Sequence, residues 1–573
     1  MAKKVLLCSI VIVLNFFSFS AAELGWWEDA SLYQIYPRSF KDNDGDGVGD
    51  LKGITSKLDY LKDIGITAAW LSPIYKSPMS DFGYDISDFY DIDPLYGNLD
   101  DFDALIAKAK SIGLKIILDF VPNHSSDECI WFQKSVNRTE GYENFYVWAD
   151  GRGEDPENPG KQLPPSNWTS DFGGTAWTWN DQRQQFFLHQ FQPKQPDLNF
   201  RDENARATML NVLKFWLDRG IDGFRIDAIP YFFETLNENG TYTDEPVSGE
   251  TSDPNSNKYL KHLYTRDQPE NVGLIAEWRQ FVDNYTREHG GDERILFAEA
   301  YSPLEALDNY FGNETHPAAH FPFNFDLMYL NKDSNARDLE DKVNNWMDTI
   351  WKKHKSANWV IGNHDNPRIG DRIGKDNKDN INMVVLALPG SPVTYNGEEI
   401  GMDDVPDACS NDPCDFRDPE RTPFQWDNTT SAGFSDSNKT WLPVAKDYKC
   451  NNVKIQQGQE RSSLNIYKGM QKLKTTAAFK AFKEEGAWKY GALNDQVFQI
   501  IRNNTNEEYR ILVNLGSDLE TVGPLCNSID TSLCFMEYKL VTKNSPHNIG
   551  DLANLTSIQL TPHEGIVLGR TTE

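Results

Sequence analysis

The sequence predicts an α/β protein: a (β/α)8 TIM barrel with a domain inserted after the third strand and a C-terminal antiparallel β domain. Three observations carry this. Short apolar runs alternate with amphipathic helical stretches from Ser31 onward, the rhythm of a parallel sheet. Four runs end in carboxylates: DFVPNH (Asp119–His124), GFRIDAI (Gly223–Ile229), FAEA (Phe297–Ala300) and NHD (Asn363–Asp365). Acidic groups at the C-terminal ends of several parallel strands meet at one mouth in a TIM barrel. Finally, the rhythm breaks once over residues 125–194 and changes to short alternating runs after about residue 485.

Taken in order, SLYQIYPRSF (31–40) reads as the first strand and ITSKLDYLKDIG (54–65) as a helix stopped by glycine. TAAWLSPIY (67–75), a helix over 101–113 and LKIILDFVPNH (114–124) follow. Residues 125–194 are polar and rich in Trp, Pro and Gly, and a loop of that length is functional or a small domain. A helix from Ala205 to Arg219 leads into IDGFRIDAI (221–229), then ERILFAEA (293–300), FPFNFDL (321–327), NWVIGNHD (358–365) and SPVTYNGEE (391–399), which makes eight strands. The polar stretch near 237–270 reads as a surface loop. Segments QVFQIIRN, YRILVNLG and SIQLTPHEGIVLG, punctuated by Gly and Asn, predict the antiparallel β domain. The expected division is a signal peptide over 1–22, barrel over 23–124 and 195–484, the insertion over 125–194 and a β-sandwich over 485–573.

Lys3 and Lys4, the apolar run Val5–Phe19 and the small residues Ser20 and Ala22 form a secretory signal. No other stretch is apolar enough to span a bilayer, so a secreted, extracellular chain is expected. The formal charge of −30 excludes nucleic acid and anionic membrane surfaces as partners. Six cysteines remain beyond the signal, and the close pairs Cys409/Cys414 and Cys526/Cys534 are the expected disulfides. Sequons at Asn123, Asn137, Asn167, Asn239, Asn284, Asn313, Asn428, Asn438, Asn503 and Asn554 suit a secreted glycoprotein, although Asn123 lies within one of the acidic motifs.

Cleaving a glycosidic bond with retention needs a carboxylate nucleophile and a carboxylic acid about 5–5.5 Å apart, a distance that neighbouring barrel strands supply. Asp227 ends the fourth strand and Glu299 the fifth. Arg225, two residues before Asp227, shares its face of the strand and would keep it ionised. Glu299 would serve as the acid, its proton retained through burial and nearby anions. Asp365 is a third carboxylate, and His124 and His364 are suited to bind sugar hydroxyls.

The four acidic segments, in this order, resemble the signature regions of the α-amylase family of retaining glycosidases. QPDLNF (Gln195–Phe200), YQIYPRSF (33–40), GYDISDFY (83–90) and RTPFQWD (421–427) are similar to its α-glucosidase branch, and to insect α-glucosidases (maltases) most of all. The resemblance runs from about residue 28 to the end of the barrel. It implies Asp227 as nucleophile, Glu299 as general acid/base and Asp365 as transition-state stabiliser. Arg225, His124 and His364 match substrate-binding positions. Asp85 and Arg421 match residues that close the pocket around a terminal non-reducing glucose, and Asp119 matches a buried supporting acid. The insertion would be the family's B domain, walling one side of the pocket. Ala228, where enzymes preferring α-1,6 bonds often carry Val, favours α-1,4 bonds or sucrose.

DNDGDGVGD (Asp42–Asp50) alternates Asp with Gly, a composition that wraps a hard cation. Its twelfth position is Gly53 and a strand precedes it, which excludes an EF-hand. It resembles the calcium loop of family relatives, implying structural calcium on Asp42, Asp44, Asp46, Asp50 and the Val48 carbonyl. No organic cofactor is expected, and the partner is a small saccharide. The expected activity is hydrolysis of maltose, short malto-oligosaccharides or sucrose. The alternatives are a transglucosidase or sucrose isomerase on the same site, or a non-catalytic receptor or transporter-associated homologue, which should lack the carboxylates.

Overall fold

The computed structural model describes residues 25–409, 415–526 and 534–571. The signal peptide and the Cys409/Cys414 pairing, through Cys414, lie outside the described residues.

Eight parallel strands form the barrel: β1 (Leu32–Ile35), β2 (Ala68–Leu71), β3 (Lys115–Phe120), β4 (Gly223–Ile226), β5 (Ile295–Ala298), β6 (Phe321–Pro322), β7 (Asn358–Val360) and β8 (Ser391–Tyr395). Each pairs with its neighbour in order except β6 with β7, and β8 pairs with β1. Every strand falls within its expected segment. The first is shorter than its run, because Pro37 opens a one-turn helix (Pro37–Phe40), the position where a fixed φ and a missing N–H cost nothing.

No ladder joins β6 to β7. The buried side chain of Asn358 bridges them instead, accepting the Asn324 N–H at 2.8 Å and donating to the Pro322 carbonyl at 2.9 Å. That amide satisfies backbone groups which a strand pair would otherwise cover.

Three barrel helices start at acidic or amide caps. Leu51–Asp63 is capped by Asp50, Leu99–Ser111 by Asn98 and Glu203–Asp218 by Asp202. Their apolar faces pack on the outside of the barrel, joining one core that runs through all eight strands.

Residues 125–194 hold a short helix (Ile130–Val136) and a three-stranded antiparallel sheet, with a core of Val147, Trp168, Trp177, Phe186 and Leu188. The polar stretch near 240 leans on this unit: the Trp168 indole donates to the Thr243 carbonyl at 2.9 Å.

The C-terminal segment folds as a six-stranded antiparallel sheet with a separate two-stranded one. Strand alternation splits its side chains between two cores. Phe498, Ile500, Ile511, Val513 and Val567 join the barrel core, whereas Val497, Leu512, Ile566 and Leu568 build a second one. Cys526 and Cys534 form a disulfide with Cα atoms 5.5 Å apart. Cys129 is a buried free thiol and Cys450 an exposed one.

Candidate active site

The strand register sets the site. Asp119 on β3 lies level with Arg225 on β4, which lies level with Phe297 on β5. The Arg225 guanidinium is buried and sits against the Trp70 ring, 4.9 Å from its centre. Its Nη1 donates to Asp119 Oδ1 at 2.9 Å and to Asp227 Oδ1, and its Nη2 stands 3.7 Å from Glu299 Oε2. One fixed cation therefore faces three carboxylates. Asp119 also accepts from Tyr84 Oη at 3.0 Å and Trp70 Nε1 at 3.2 Å, and it is wholly buried beneath the site.

Beyond Asp227 the chain turns sharply. Ala228 takes a left-handed conformation with φ 53°, which costs a non-glycine residue about 1 kcal/mol or more. The turn aims the Ala228 N–H at Glu299 Oε2, 2.8 Å away. The two residues that follow β4 thus bear one carboxylate, Asp227, and hold the other, Glu299, through the Ala228 N–H.

Asp365 lies across the pocket. Arg421 Nη2 reaches its Oδ1 at 2.9 Å and Arg417 Nη1 at 3.3 Å, while Arg421 Nε donates to the His364 carbonyl at 2.6 Å. Gln34 Nε2 donates to His364 Nδ1 at 2.8 Å, which leaves the imidazole proton on Nε2, 3.3 Å from Asp365 Oδ2. The His364 ring stacks on Tyr84 at 5.3 Å.

These contacts set the protonation states. Burial pushes the carboxyls of Asp119, Asp227 and Glu299 up, and Arg225 pulls each one back. Its contact is closest at Asp227 and longest at Glu299, so ion pairing favours the ionised form most at Asp227 and least at Glu299. Burial and the nearby guanidinium groups outweigh attraction to Asp365 and push His364 down to about 3. Burial alone, against the pull of Asp81, lowers His124 to about 4. Both rings are neutral at physiological pH. Burial opposes ionisation of Asp365 as well, yet the surrounding positive groups hold its carboxyl far below the usual carboxylate range. Because His364 is neutral, that effect falls to Arg421, Arg417 and Arg225.

A cavity of about 300 Å³ opens over these groups, at the small end of ligand pockets. Asp227, Glu299, Asp365, Arg225, His124 and His364 all line it. Arg421 stands behind Asp365 and positions it. Asp85 is placed differently from the expectation. It is fully buried and accepts from Ser77 Oγ, the Ser80 N–H and the Asp81 N–H at 2.8–2.9 Å, so it shapes the loop and does not line the cavity. The carboxylate that does is Asp81, paired with Arg417 Nη2 at 2.7 Å. Nothing in the sequence distinguished two carboxylates four residues apart in one loop, and Arg417 shares a segment with Arg421. The insertion contributes Asp171, Phe172 and Phe191 to the wall, and Asp171 is held by Tyr231 and Arg266. The Asn123 sequon is buried beside the site.

In the acidic loop, oxygens of Asp42, Asp44 and Asp50 lie within 4.8 Å of one another. Asp46 is not among the three; its carboxylate accepts the Val48 N–H at 2.7 Å.

The chain matches known proteins over most of its length. An α-amylase catalytic-domain model matches residues 34–482. The chain is 58% identical over 549 residues to Maltase A2 of Drosophila melanogaster, covering 96% of this chain and 95% of that one. It is 44% identical over 568 residues to the salivary α-glucosidase of Anopheles gambiae, covering 96% and 94%. The crystal structure of an α-glucosyl transfer enzyme, XgtA, superposes with a TM-score of 0.78 at 31% identity, over 96% of this chain and all of that one. With a family model spanning most of the chain and relatives aligned nearly end to end, the protein belongs to the α-amylase family, and its barrel is that family's catalytic domain.

Proposed function

We propose that the protein is a secreted, exo-acting, retaining α-glucosidase that removes terminal α-1,4-linked glucose from maltose and short malto-oligosaccharides, or splits sucrose. One observation carries this reading: Asp227 and Glu299 share the Arg225 guanidinium at the floor of a small walled pocket. Asp227, the more strongly ion-paired of the two, attacks the anomeric carbon. Glu299 gives its proton to the departing oxygen. The bond from carbon to the leaving sugar breaks as the bond to Asp227 Oδ forms. Water, deprotonated by Glu299, then displaces Asp227 and yields α-glucose. Asp365, His124 and His364 hold the hydroxyls of the ring, and the Asp81–Arg417 pair binds its far end. The pocket's small volume suits a single terminal ring. The apolar N-terminal segment and a relative named as salivary support secretion, and no helix among the described residues is long and apolar enough to cross a membrane.

The test is anomer-resolved NMR of the products from maltose, sucrose and isomaltose. Glucose appearing first as the α-anomer from maltose or sucrose is the expected result. First release of β-glucose, or turnover of isomaltose alone, would overturn the assignment.

We further propose that Asp42, Asp44 and Asp50 hold a calcium ion, because their oxygens converge as a hard cation requires. Bound there, it would supply charge neutralisation at a loop that also caps the first barrel helix through Asp50. Chelation is expected to lower Tm by several degrees, with calcium restoring it. An identical Tm with chelator and with millimolar calcium would sink the proposal.

A further inference from the structure

The long helix Pro269–His289 buries one face, with Leu274, Ile275, Trp278 and Val282, in the barrel core. Its other face carries Pro269, Val272, Ala276, Gln280, Asp283 and Arg287, three or four residues apart as one side of a helix requires. That face walls a groove of about 580 Å³. The opposite wall is a hairpin in which Gly312 and Asn313 pair with Pro317 and His316. The groove shares no lining residue with the catalytic cavity.

Gly273 also lines the groove. A glycine inside a helix is destabilising relative to alanine. Yet a Cβ at Gly273 would meet nothing within 4 Å, so no described part of the chain uses the space it leaves. Across the groove stands Asn313, which begins the sequon Asn313–Glu314–Thr315. It is exposed. Its Oδ1 accepts the Thr315 hydroxyl at 2.7 Å and the Thr315 and His316 N–H groups at 3.0 Å. The oxygen is thereby turned into the hairpin, and Nδ2 donates to no protein group among the described residues.

We infer that Asn313 carries an N-linked oligosaccharide whose first rings lie in this groove, over Gly273, and tie the hairpin to the helix. The inference rests on the secretion reading, since the modification is made on the secretory route. Asn313 Nδ2 attacks C1 of the N-acetylglucosamine of a lipid-diphosphate oligosaccharide. The C1–N bond forms, the C1–O bond breaks, the lipid diphosphate departs, and one Nδ2 proton passes to a base. Oδ1 and one N–H remain, so the contacts within the hairpin survive the reaction.

The groove matches such a sugar. N-acetylglucosamine offers a C–H face and a methyl group, with an amide and hydroxyls at its edge. Val272, Ala276 and Pro317 supply apolar surface, and Gln280 an amide. Arg206 and Glu277 are ion-paired to each other on the wall, which holds both in place as hydrogen-bonding groups. The volume is well above the 300 Å³ of the catalytic cavity, so there is room for a second ring if that cavity holds one.

The experiment uses the full chain secreted from insect cells. Mass spectrometry of its peptides should find a glycan on Asn313; an unmodified Asn313 would overturn the inference. Seating is read from Tm in wild type, Gly273→Leu, Thr315→Ala and the double variant. Thr315→Ala removes the sequon, and Asn313→Gln replaces it should that variant misfold. Without the glycan, Gly273→Leu is expected to raise Tm by about 1 °C or more, because leucine is the better helix former. With the glycan, the leucine side chain takes the sugar's place, so the gain should vanish or reverse. Equal gains in both backgrounds would show independent sites and overturn the inference. So would a wild-type dimer that Gly273→Leu dissolves, which would put a second copy of the chain in the groove. A chain that stays inside the cells would refute the secretion reading instead. The groove is then judged by the same measurements on protein exported with a foreign signal peptide.

Discussion

Asp227→Asn is expected to lower maltose hydrolysis by at least about 10³-fold with the fold intact, the scale on which removing a nucleophile acts. Asparagine keeps the shape of the side chain and a contact to Arg225, so circular dichroism and Tm should stay close to wild type. Glu299→Gln should look different. An amide cannot protonate a sugar leaving group, so maltose turnover collapses. An aryl glucoside, whose phenolate departs without a proton, should still form the glucosyl-enzyme and show a burst. Glu299 is also expected to set the pH profile. Its folded pKa is raised by burial, so the acid form persists to higher pH than a free glutamate allows. Activity on maltose should fall as pH rises through that value, and Glu299→Gln should lack this alkaline limb. Equal losses on maltose and the aryl glucoside in Glu299→Gln would show that Glu299 is not the acid.

Arg225→Met is the second large effect. Methionine fills the same buried space beside Trp70 but leaves Asp119, Asp227 and Glu299 without their cation. Removing one partner of a buried charge group costs about 3–5 kcal/mol. Part of this is relieved when a carboxyl takes up a proton, and Asp227, which loses the nearest cation contact, is disarmed by such a proton. The expected outcome is a drop in Tm together with a loss of kcat comparable to Asp227→Asn. Adding Asp119→Asn should recover part of the Tm and none of the activity. Recovery of both would mean that Arg225 acts on the fold alone.

Much of this was legible in the sequence because the chemistry is local to strand ends. The period of the apolar runs marked eight strands, and each motif carried its carboxylate at the end of one of them or in the loop that follows. Arg225 was legible as Asp227's partner from a spacing of two. Its reach to Asp119 and Glu299 was not, since that depends on the register of three strands. The left-handed turn at Ala228 left no trace either: nothing about an alanine announces a positive φ. Asp81 was missed in favour of Asp85 because both lie in one short loop and only folding decides which of the two faces the cavity.

The Asn358 bridge has a consequence for motion. A ring of strands joined by ladders is uniform, whereas a ring closed at one place by a side-chain amide has a weakest joint. Local opening begins where few backbone bonds must break together, and here that place lies between β6 and β7. The joint tolerates no simple replacement. Aspartate loses the donor to Pro322, and leucine loses both bonds, leaving the Asn324 N–H stranded. Hydrogen exchange would register its opening at the Asn324 amide proton, ahead of the amides that join the other seven strand junctions.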